Sequence, residues 1–475
     1  MTLIKSISGI RGTIGGVAGE NLTPLDIVKF SCAFACFLQT RHKGTTARKP
    51  LRMVVGRDGR MSGDMVEKLV TGSLLGMGVD VVELGLATTP TVEMAVVRNK
   101  AQGGIIITAS HNPAQWNALK LLNEKGEFID AGEGAEVVRL SESGRMVFAP
   151  VEQLGKRTSD TKALAWHIDK ILKLKTVSER DIRAAKLTVV VDGINSVGGD
   201  AIPRLLKCLG VKKVIALNAV PDGRFAHNPE PLPAHLKDLS KAVRENQADM
   251  GISVDPDVDR LAFVCEDGSM FGEEYTLVAV ADYILQHKKG NTVSNMSSSR
   301  ALRDVTEKKG GRYFSAPVGE VNVVARMKEV KALIGGEGNG GVIYPPLHYG
   351  RDALVGVALF LTSFAQKRKE DKNFSMTAYR KSFPAYVISK NRIELNPGTQ
   401  VDKVLAQVKK KYSRERMSEE DGIRIDFESS REWVQLRRSN TEPIIRVYAE
   451  STTAGKADAL GKRFVEEITL ALGKK

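Results

Sequence analysis

With 475 residues, 42% hydrophobic and 27% charged, the chain has the composition of a globular protein of several domains. No apolar run approaches a membrane span, since Leu277–Leu285 is broken by Asp282, and Met1–Ser6 lacks the apolar stretch of a signal peptide. The formal charge of +14 is spread over basic clusters at Arg41–Lys49, Lys367–Lys372 and Lys409–Arg416; nearly free of aromatics, they read as solvated helix faces, which argues against nucleic-acid and membrane partners and for attraction of small anions. Cys32, Cys36, Cys208 and Cys265 are few and scattered. Cys32 and Cys36 lie one helical turn apart in apolar sequence, as buried free thiols do, and the expected compartment is the cytoplasm.

Taken in order, the chain opens on Ser8-Gly9-Ile10-Arg11-Gly12, where two glycines permit a tight turn and Arg11 can reach an anion. Val54-Val55-Gly56 reads as a strand followed by the charged turn Arg57-Asp58-Gly59-Arg60. Ser62–Leu75 then places Val66, Leu69, Val70 and Leu74 on one helical face, and Val81–Leu84 is the next strand, which completes a βαβ unit. After a helix from about Pro90 to Arg98, the β-branched run Ile105–Ile107 stops at Thr108-Ala109-Ser110-His111-Asn112-Pro113. Ser110 is therefore expected on a loop at the end of a buried strand, where open α/β sheets bind ligands.

Around Leu154–Ser178 the sequence turns helical and basic, which marks a first boundary. Leu187–Asp192, the turn Gly193–Gly199 and a helix into Leu209 repeat the strand–turn–helix order. Ala248–Val254 is a strand that delivers Asp255-Pro256-Asp257-Val258-Asp259-Arg260. The aspartates alternate, so in extended chain all three point one way, and such crowding of like charge calls for a hard cation such as Mg²⁺. An EF-hand loop is excluded, because Arg260 stands where that loop needs glycine and the flanks read as strands. A third unit begins at Gly268, with a helix over Tyr275–His287, a strand over Thr292–Asn295 and a helix over Ser298–Lys309. Beyond Val318-Gly319-Glu320 lies the glycine-rich Gly335-Gly336-Glu337-Gly338-Asn339-Gly340-Gly341. From about Ala385 a smaller α+β unit follows, with strands at Tyr386–Ile388, Ile423–Ile425 and Ile444–Tyr448 and helices near Val401–Tyr412 and Ala454–Leu472. Between its strands, Arg437-Arg438-Ser439-Asn440-Thr441-Glu442-Pro443 has the arginine, hydroxyls and turn amides of a phosphate cradle, with Arg446 beyond.

These motifs, in this order, resemble those of the α-D-phosphohexomutases. Thr108–Pro113 resembles the family's phosphoserine loop, Gly9–Gly12 its N-terminal Gly-x-Arg-Gly, and Asp255–Arg260 its metal loop. Trp116-Asn117-Ala118-Leu119-Lys120 resembles aromatic-Asn-Gly-x-Lys, with Ala118 for glycine, and Glu337 falls in the sugar-recognition loop. There Asn339 replaces serine and Gly341 replaces histidine; Asn440 replaces glycine in the phosphate loop. The resemblance implies four domains around one central cleft: three related doubly wound α/β domains at 1–153, 154–267 and 268–384, then an α+β domain at 385–475. It implies an intramolecular phosphotransferase that interconverts hexose 6- and 1-phosphates through phosphorylated Ser110 and a bound sugar 1,6-bisphosphate. Ser110, Asp255, Asp257 and Asp259 would hold Mg²⁺; Arg11, His111 and Arg260 would support the seryl phosphate. With Gly341 in the histidine's place, Lys120 becomes the acid/base residue. Glu337 and Asn339 would orient the sugar, with further contacts from His348–Asp352, and Arg437, Ser439, Asn440, Thr441 and Arg446 would hold the distal phosphate. Gly335–Gly341 together with Val318–Glu320 resembles the archaeal-type phosphoglucosamine mutases, with phosphomannomutase or phosphoglucomutase as the alternative sugar reading and a non-catalytic sugar-phosphate binder as the alternative class.

Overall fold

The structure, a computed structural model, describes residues 2–6, 9–42, 50–144, 146–395, 401–439 and 444–472. It divides into two units: Met1–Thr276 with Asn339–Tyr379, and Leu277–Gly338 with Arg380–Lys475.

In the first unit the apolar runs become central strands. Strands β1 (Ile4–Ser6), β2 (Gly9–Thr13), β3 (Arg52–Arg57), β4 (Asp80–Leu86), β5 (Gly103–Ile107), β6 (Trp116–Leu122) and β7 (Arg157–Ser159) form one sheet in the order β1-β2-β6-β5-β3-β4-β7. The half β5-β3-β4-β7 is parallel. The half β6-β2-β1 is antiparallel, because the loop after β5 is short enough for the chain to return directly alongside it. Strand β7 is short and polar, carries no apolar signal, and lies past the boundary expected after residue 153. Helices Gly63–Gly76 and Thr89–Arg98 fall where periodicity places them. Helix Pro24–Arg41 starts at a capping box of Thr23 and Asp26 and buries Ile27, Phe30, Phe34 and Leu38 against the sheet, with Cys32 buried and Cys36 half-buried.

The second sheet of this unit holds β8 (Thr188–Asp192), β9 (Lys213–Leu217), β10 (Met250–Val254) and β11 (Leu261–Cys265) in the order β11-β10-β8-β9. Only the β10–β11 pair is antiparallel, so residues 255–260 form the turn of a hairpin. Helix Ala353–Glu370 buries its first 13 residues, and Phe360 stacks on Phe263 with ring centroids 3.9 Å apart.

In the second unit, strand Thr292–Asn295 lies between Tyr313–Ala316 and Ile334–Glu337, all parallel. A five-stranded antiparallel sheet follows, in the order Val387–Glu394, Ile444–Ser451, Glu432–Arg438, Ile423–Phe427, Arg416–Ser418. Helices Val401–Lys411 and Ala454–Ala471 pack on it through Val404, Leu460 and Phe464. Two of these strands, Arg416–Ser418 and Glu432–Arg438, are absent from the sequence-based expectation. In consequence Arg437 and Arg438 end a strand and Arg446 lies within the next one, where a loop and its far side were expected. Asn440 and Thr441 lie outside the described residues. The observed architecture is three α/β sheets and a smaller α+β domain.

Candidate active site

Strand β5 ends inside the core, and the chain must reverse to enter β6. Ser110 takes the left-handed conformation at this reversal, with φ +49°, an uncommon state for a non-glycine residue. What holds it there is Arg60, whose guanidinium is fully buried and uses all five of its N–H donors. Nε bonds Asp58, and the two Nη atoms bond the carbonyls of Ser110, Asn112, Pro113 and Trp116 at 2.5–2.9 Å. Asp58 also accepts from Thr108 Oγ1 at 2.6 Å, and Thr108 Oγ1 accepts from the Ser110 amide at 2.9 Å. From sequence alone, Arg57–Arg60 reads only as a charged turn. The missed signal is an Asp and an Arg directly after a strand too apolar to leave them solvated.

The turn 255–260 supplies the second half of the site. Asp255, Asp257 and Asp259 are each 0% exposed, and one oxygen from each lies within 4.8 Å of the others. Their convergence does not come from alternation in an extended strand, as expected. Strand β10 stops at Val254, and a tight turn with Val258 at φ +64° gathers the carboxylates. Asp255 Oδ1 accepts from the amides of Asp259 and Arg260 at 3.1 and 3.0 Å, which closes the turn. Ser196 Oγ joins the two sheets by donating to the Pro256 carbonyl at 2.6 Å while accepting from the Gly59 amide at 2.9 Å.

These two pieces meet at Ser110, whose Oγ donates to Asp255 Oδ2 at 2.6 Å. Arg260 Nη2 donates to His111 Nε2 at 3.5 Å, so the His111 proton sits on Nδ1, 3.3 Å from Ser110 Oγ, and donates to it. Burial, reinforced by the charge of Arg260, holds the His111 pKa well below its ordinary value, so the ring is neutral near pH 7. Arg260 is itself paired with Glu230 at 3.2 Å.

Lys120 lies on β6 with its side chain almost fully buried, 2.8 Å from Asp257 and 3.5 Å from Asp259. Burial alone would lower its pKa, but the two carboxylates raise it above that of an ordinary lysine. Asp257 responds in kind: burial would raise it, while Lys120 and a 2.6 Å hydrogen bond from Thr89 hold it below the usual carboxylate range. Asp255 goes the other way, pushed well up by burial and by the charges of Asp259 and Asp257. Oδ1 of Asp257 and Oδ1 of Asp259 are buried with no hydrogen-bond partner among the described residues. Two partnerless anionic oxygens beside a third carboxylate fit a hard divalent cation, and the triad is able to hold one.

Arg11 faces Ala118 across the β2–β6 pair, so it shares the sheet face from which Lys120 projects. Its Nε is buried without a partner among the described residues. Arg351 donates to Asp259 Oδ2 at 2.8 Å. A Cβ on Gly341 would come 2.4 Å from Arg351 Cδ, so Arg351 fills the space above residue 341, where a side chain was expected from the resemblance. His348 and Asp352, expected near the sugar, turn instead into a separate buried cluster with His167. Asn339 Oδ1 accepts from the Gly341 amide at 3.2 Å and so braces its own turn.

In the second unit, Glu337 ends its strand buried, and Oε1 accepts from Asn295 Nδ2 at 2.8 Å and from the Gly319 amide at 3.1 Å. Arg437 Nε donates to Asp421 Oδ1 at 2.8 Å, and Asp421 Oδ2 accepts from the Val318 amide at 3.0 Å. Asp421 thereby ties Arg437 to the loop that braces Glu337. Ser439 is buried at the end of the same strand.

Residues 4–145, 165–268, 272–381 and 391–467 match, in order, the families described as phosphoglucomutase/phosphomannomutase alpha/beta/alpha domains I, II and III and the C-terminal domain. The chain belongs to the phosphoglucomutase/phosphomannomutase family. Among relatives of this phosphohexomutase-family chain, a "Phosphoglucomutase/phosphomannomutase" of Thermococcus kodakarensis is 34% identical over 96% of this chain and 98% of its own. A "Probable phosphoglucosamine mutase" of Methanopyrus kandleri is 30% identical over 97% of this chain and 96% of its own. The crystal structure of a phosphoglucomutase/phosphomannomutase family protein from Burkholderia thailandensis shares the fold with TM-score 0.83, at 24% identity over 98% of this chain and 97% of the other. Among the described residues no helix is long and apolar enough to cross a membrane.

Proposed function

We propose that this phosphohexomutase carries the transferred phosphoryl group on Ser110 and acts on glucosamine phosphate, in the cytoplasm. One observation carries the reading: Ser110 Oγ, on a strained turn, lies 2.6 Å from a buried triad with two partnerless carboxylate oxygens. Asp255, Asp257 and Asp259 would hold Mg²⁺ there, which when bound supplies neutralising charge beside the phosphate. Arg60 fixes the loop so that Oγ cannot drift. His111 and Arg260 offer N–H donors to oxygens on Oγ, and Arg11 brings a guanidinium nitrogen without a partner among the described residues.

In transfer to the sugar, the bond from phosphorus to Ser110 Oγ breaks as a bond to the sugar's free oxygen forms. The reverse transfer returns the other phosphate and leaves the isomer, with the sugar 1,6-bisphosphate bound in between. Lys120 is the residue placed to move the hydroxyl proton. Its proton is held by Asp257 and Asp259, and a cation bound by those carboxylates would weaken that hold. In the second unit Glu337 has the acceptor oxygens for sugar hydroxyls. Arg437, Ser439, Asn440, Thr441 and Arg446 are assigned to the phosphate that is not reacting.

The sugar assignment rests on the Gly335–Gly341 loop and on relatives named as phosphoglucosamine mutases; others carry the phosphoglucomutase/phosphomannomutase name. The test has two parts. Initial rates on glucosamine, glucose and mannose phosphates, with a trace of bisphosphate and Mg²⁺, should favour glucosamine. Mass spectrometry of protein incubated with bisphosphate should place phosphate on Ser110, and Ser110→Ala should abolish turnover. A fully active alanine variant defeats the carrier role; phosphate release without isomerisation indicates a phosphatase.

A further inference from the structure

We propose that His167, His348 and Asp352 form a second divalent-cation site, of the zinc class, distinct from the aspartate triad. The three residues come from the helix Ala163–Leu172 and from the segment that leads into the helix Ala353–Glu370. His167 and Asp352 are each 0% exposed. Both imidazoles direct Nε2 at one oxygen, Asp352 Oδ2, at 2.9 Å from His167 and 3.2 Å from His348. Ligand atoms of all three lie within 4.8 Å of one another. In a tetrahedral zinc site with metal–ligand bonds of about 2.0–2.1 Å, neighbouring ligand atoms sit about 3.3 Å apart, so small side-chain rotations suffice to admit the ion.

The outer contacts support the same assignment. His167 Nδ1 is bonded to Thr91 Oγ1 at 3.0 Å, and His348 Nδ1 faces Glu93 Oε2 at 3.3 Å. Asp352 Oδ1 is fixed by the amides of Leu354 and Val355 at 2.8 and 3.3 Å. Each inward atom is therefore oriented by a partner on its far side, the arrangement that holds metal-binding imidazoles and carboxylates in place. A Cβ on Gly350 would come 1.8 Å from Glu93 Oε2, so the loop closes directly over this carboxylate.

Charge favours a cation as well. Glu93 and Asp352 bring two buried negative charges, and a divalent ion neutralises both. Without one, the contacts of His167 and His348 with Asp352 and of His348 with Glu93 are what offset that charge. The consequence reaches the catalytic turn, because Arg351, between His348 and Asp352, bonds Asp259 at 2.8 Å, and the Ala353 amide bonds the Val258 carbonyl at 3.2 Å. An ion in the cluster would lock residues 348–352 and fix Arg351 on the aspartate.

The experiment is a binding measurement and does not depend on turnover. Full-length protein is stripped with chelator, saturated with Mg²⁺, and titrated with Zn²⁺ or with Co²⁺. We expect one equivalent to bind, with the visible d–d bands of a four- or five-coordinate Co²⁺ and a rise in Tm at saturating Zn²⁺. Asp257→Asn should retain this ion, Glu93→Gln should bind it roughly 10- to 100-fold more weakly, and His167→Gln should lose it. Absence of binding in the presence of Mg²⁺, loss in Asp257→Asn, or retention in His167→Gln each overturns the proposal. Should His167→Gln not fold, the Co²⁺ spectrum of wild type and the Glu93→Gln affinity decide the matter.

Discussion

The aspartate triad of the first unit and the Glu337–Asp421 region of the second treat their carboxylates in opposite ways. In the first, Asp257 and Asp259 each keep an oxygen without a partner among the described residues, and three cationic side chains, Lys120, Arg260 and Arg351, stand around the triad. In the second, Glu337 and Asp421 are occupied by amide and guanidinium donors from their own unit. A carboxylate already bonded within its own unit keeps a fixed shape, which suits recognition. One left short of partners keeps an appetite for a cation and so suits chemistry. The Ser110 turn belongs with the second kind of charge and the first kind of rigidity: strained, yet pinned by the four Nη donors of Arg60.

If chemistry resides in the first unit, the largest effect belongs to Lys120. Lys120→Met should lower turnover by roughly 10²–10⁴-fold, the usual span for acid–base catalysis, with substrate affinity nearly unchanged. A loss confined to KM in steady-state kinetics would move Lys120 to the recognition side of the comparison. Arg60→Met should cost about 3–5 kcal/mol of stability, because it leaves Asp58 buried without its cation and frees four carbonyls. A chemical-denaturation midpoint close to wild type would show that the Ser110 turn stands without it.

The second unit has its own exception, and it sharpens the contrast. Glu450 is buried, and burial raises its pKa from the usual 4.5 up to about 7, against hydrogen bonds from the Arg300 amide and Trp433. The folded chain therefore keeps a proton that the unfolded chain releases at lower pH. Stability is greatest below pH 4.5 as far as this group is concerned, falls as pH rises toward 7, and is lower by about 3 kcal/mol above it. Glu450→Gln should flatten that slope in urea melts taken between pH 5 and pH 8, and an unchanged slope would place the proton elsewhere. The smallest effect is expected at Arg437. Arg437→Ala should weaken sugar-phosphate binding by roughly 10- to 150-fold, the loss of one charge-assisted hydrogen bond, and barely move Tm, since its pair with Asp421 is partly exposed. Normal binding with a markedly lower Tm, by calorimetry and thermal scan, would make the pair structural.

Much of this was legible in the chain itself. The β-branched run before Ser110 and the aspartates after Val254 each announce a strand that ends in a polar turn, because burial and polarity change within a few residues, whereas the strand that ends at Glu337 is hidden in a stretch that reads only as a glycine-rich loop. Harder to read were elements whose partners are far away. Strand Arg157–Ser159 is held by pairing with β4 and has no apolar pattern of its own. Strand Glu432–Arg438 drew Arg437 and Arg438 out of their expected loop because the sheet, not local propensity, sets its length.

By itself, then, the sequence determined the order of α/β units, the loops on which Ser110 and Asp255–Asp259 stand, and the residues able to bear charge there. Those properties follow from local periodicity and side-chain chemistry. Only the tertiary structure decided which charges meet. Arg60 reaches the Ser110 turn across 50 positions, Lys120 reaches Asp257 across 137, and His167 reaches Asp352 across 185. No spacing rule encodes such contacts, because they depend on where two folded sheets and a returning helix come to rest, and burial then sets the charge state of each group they bring together.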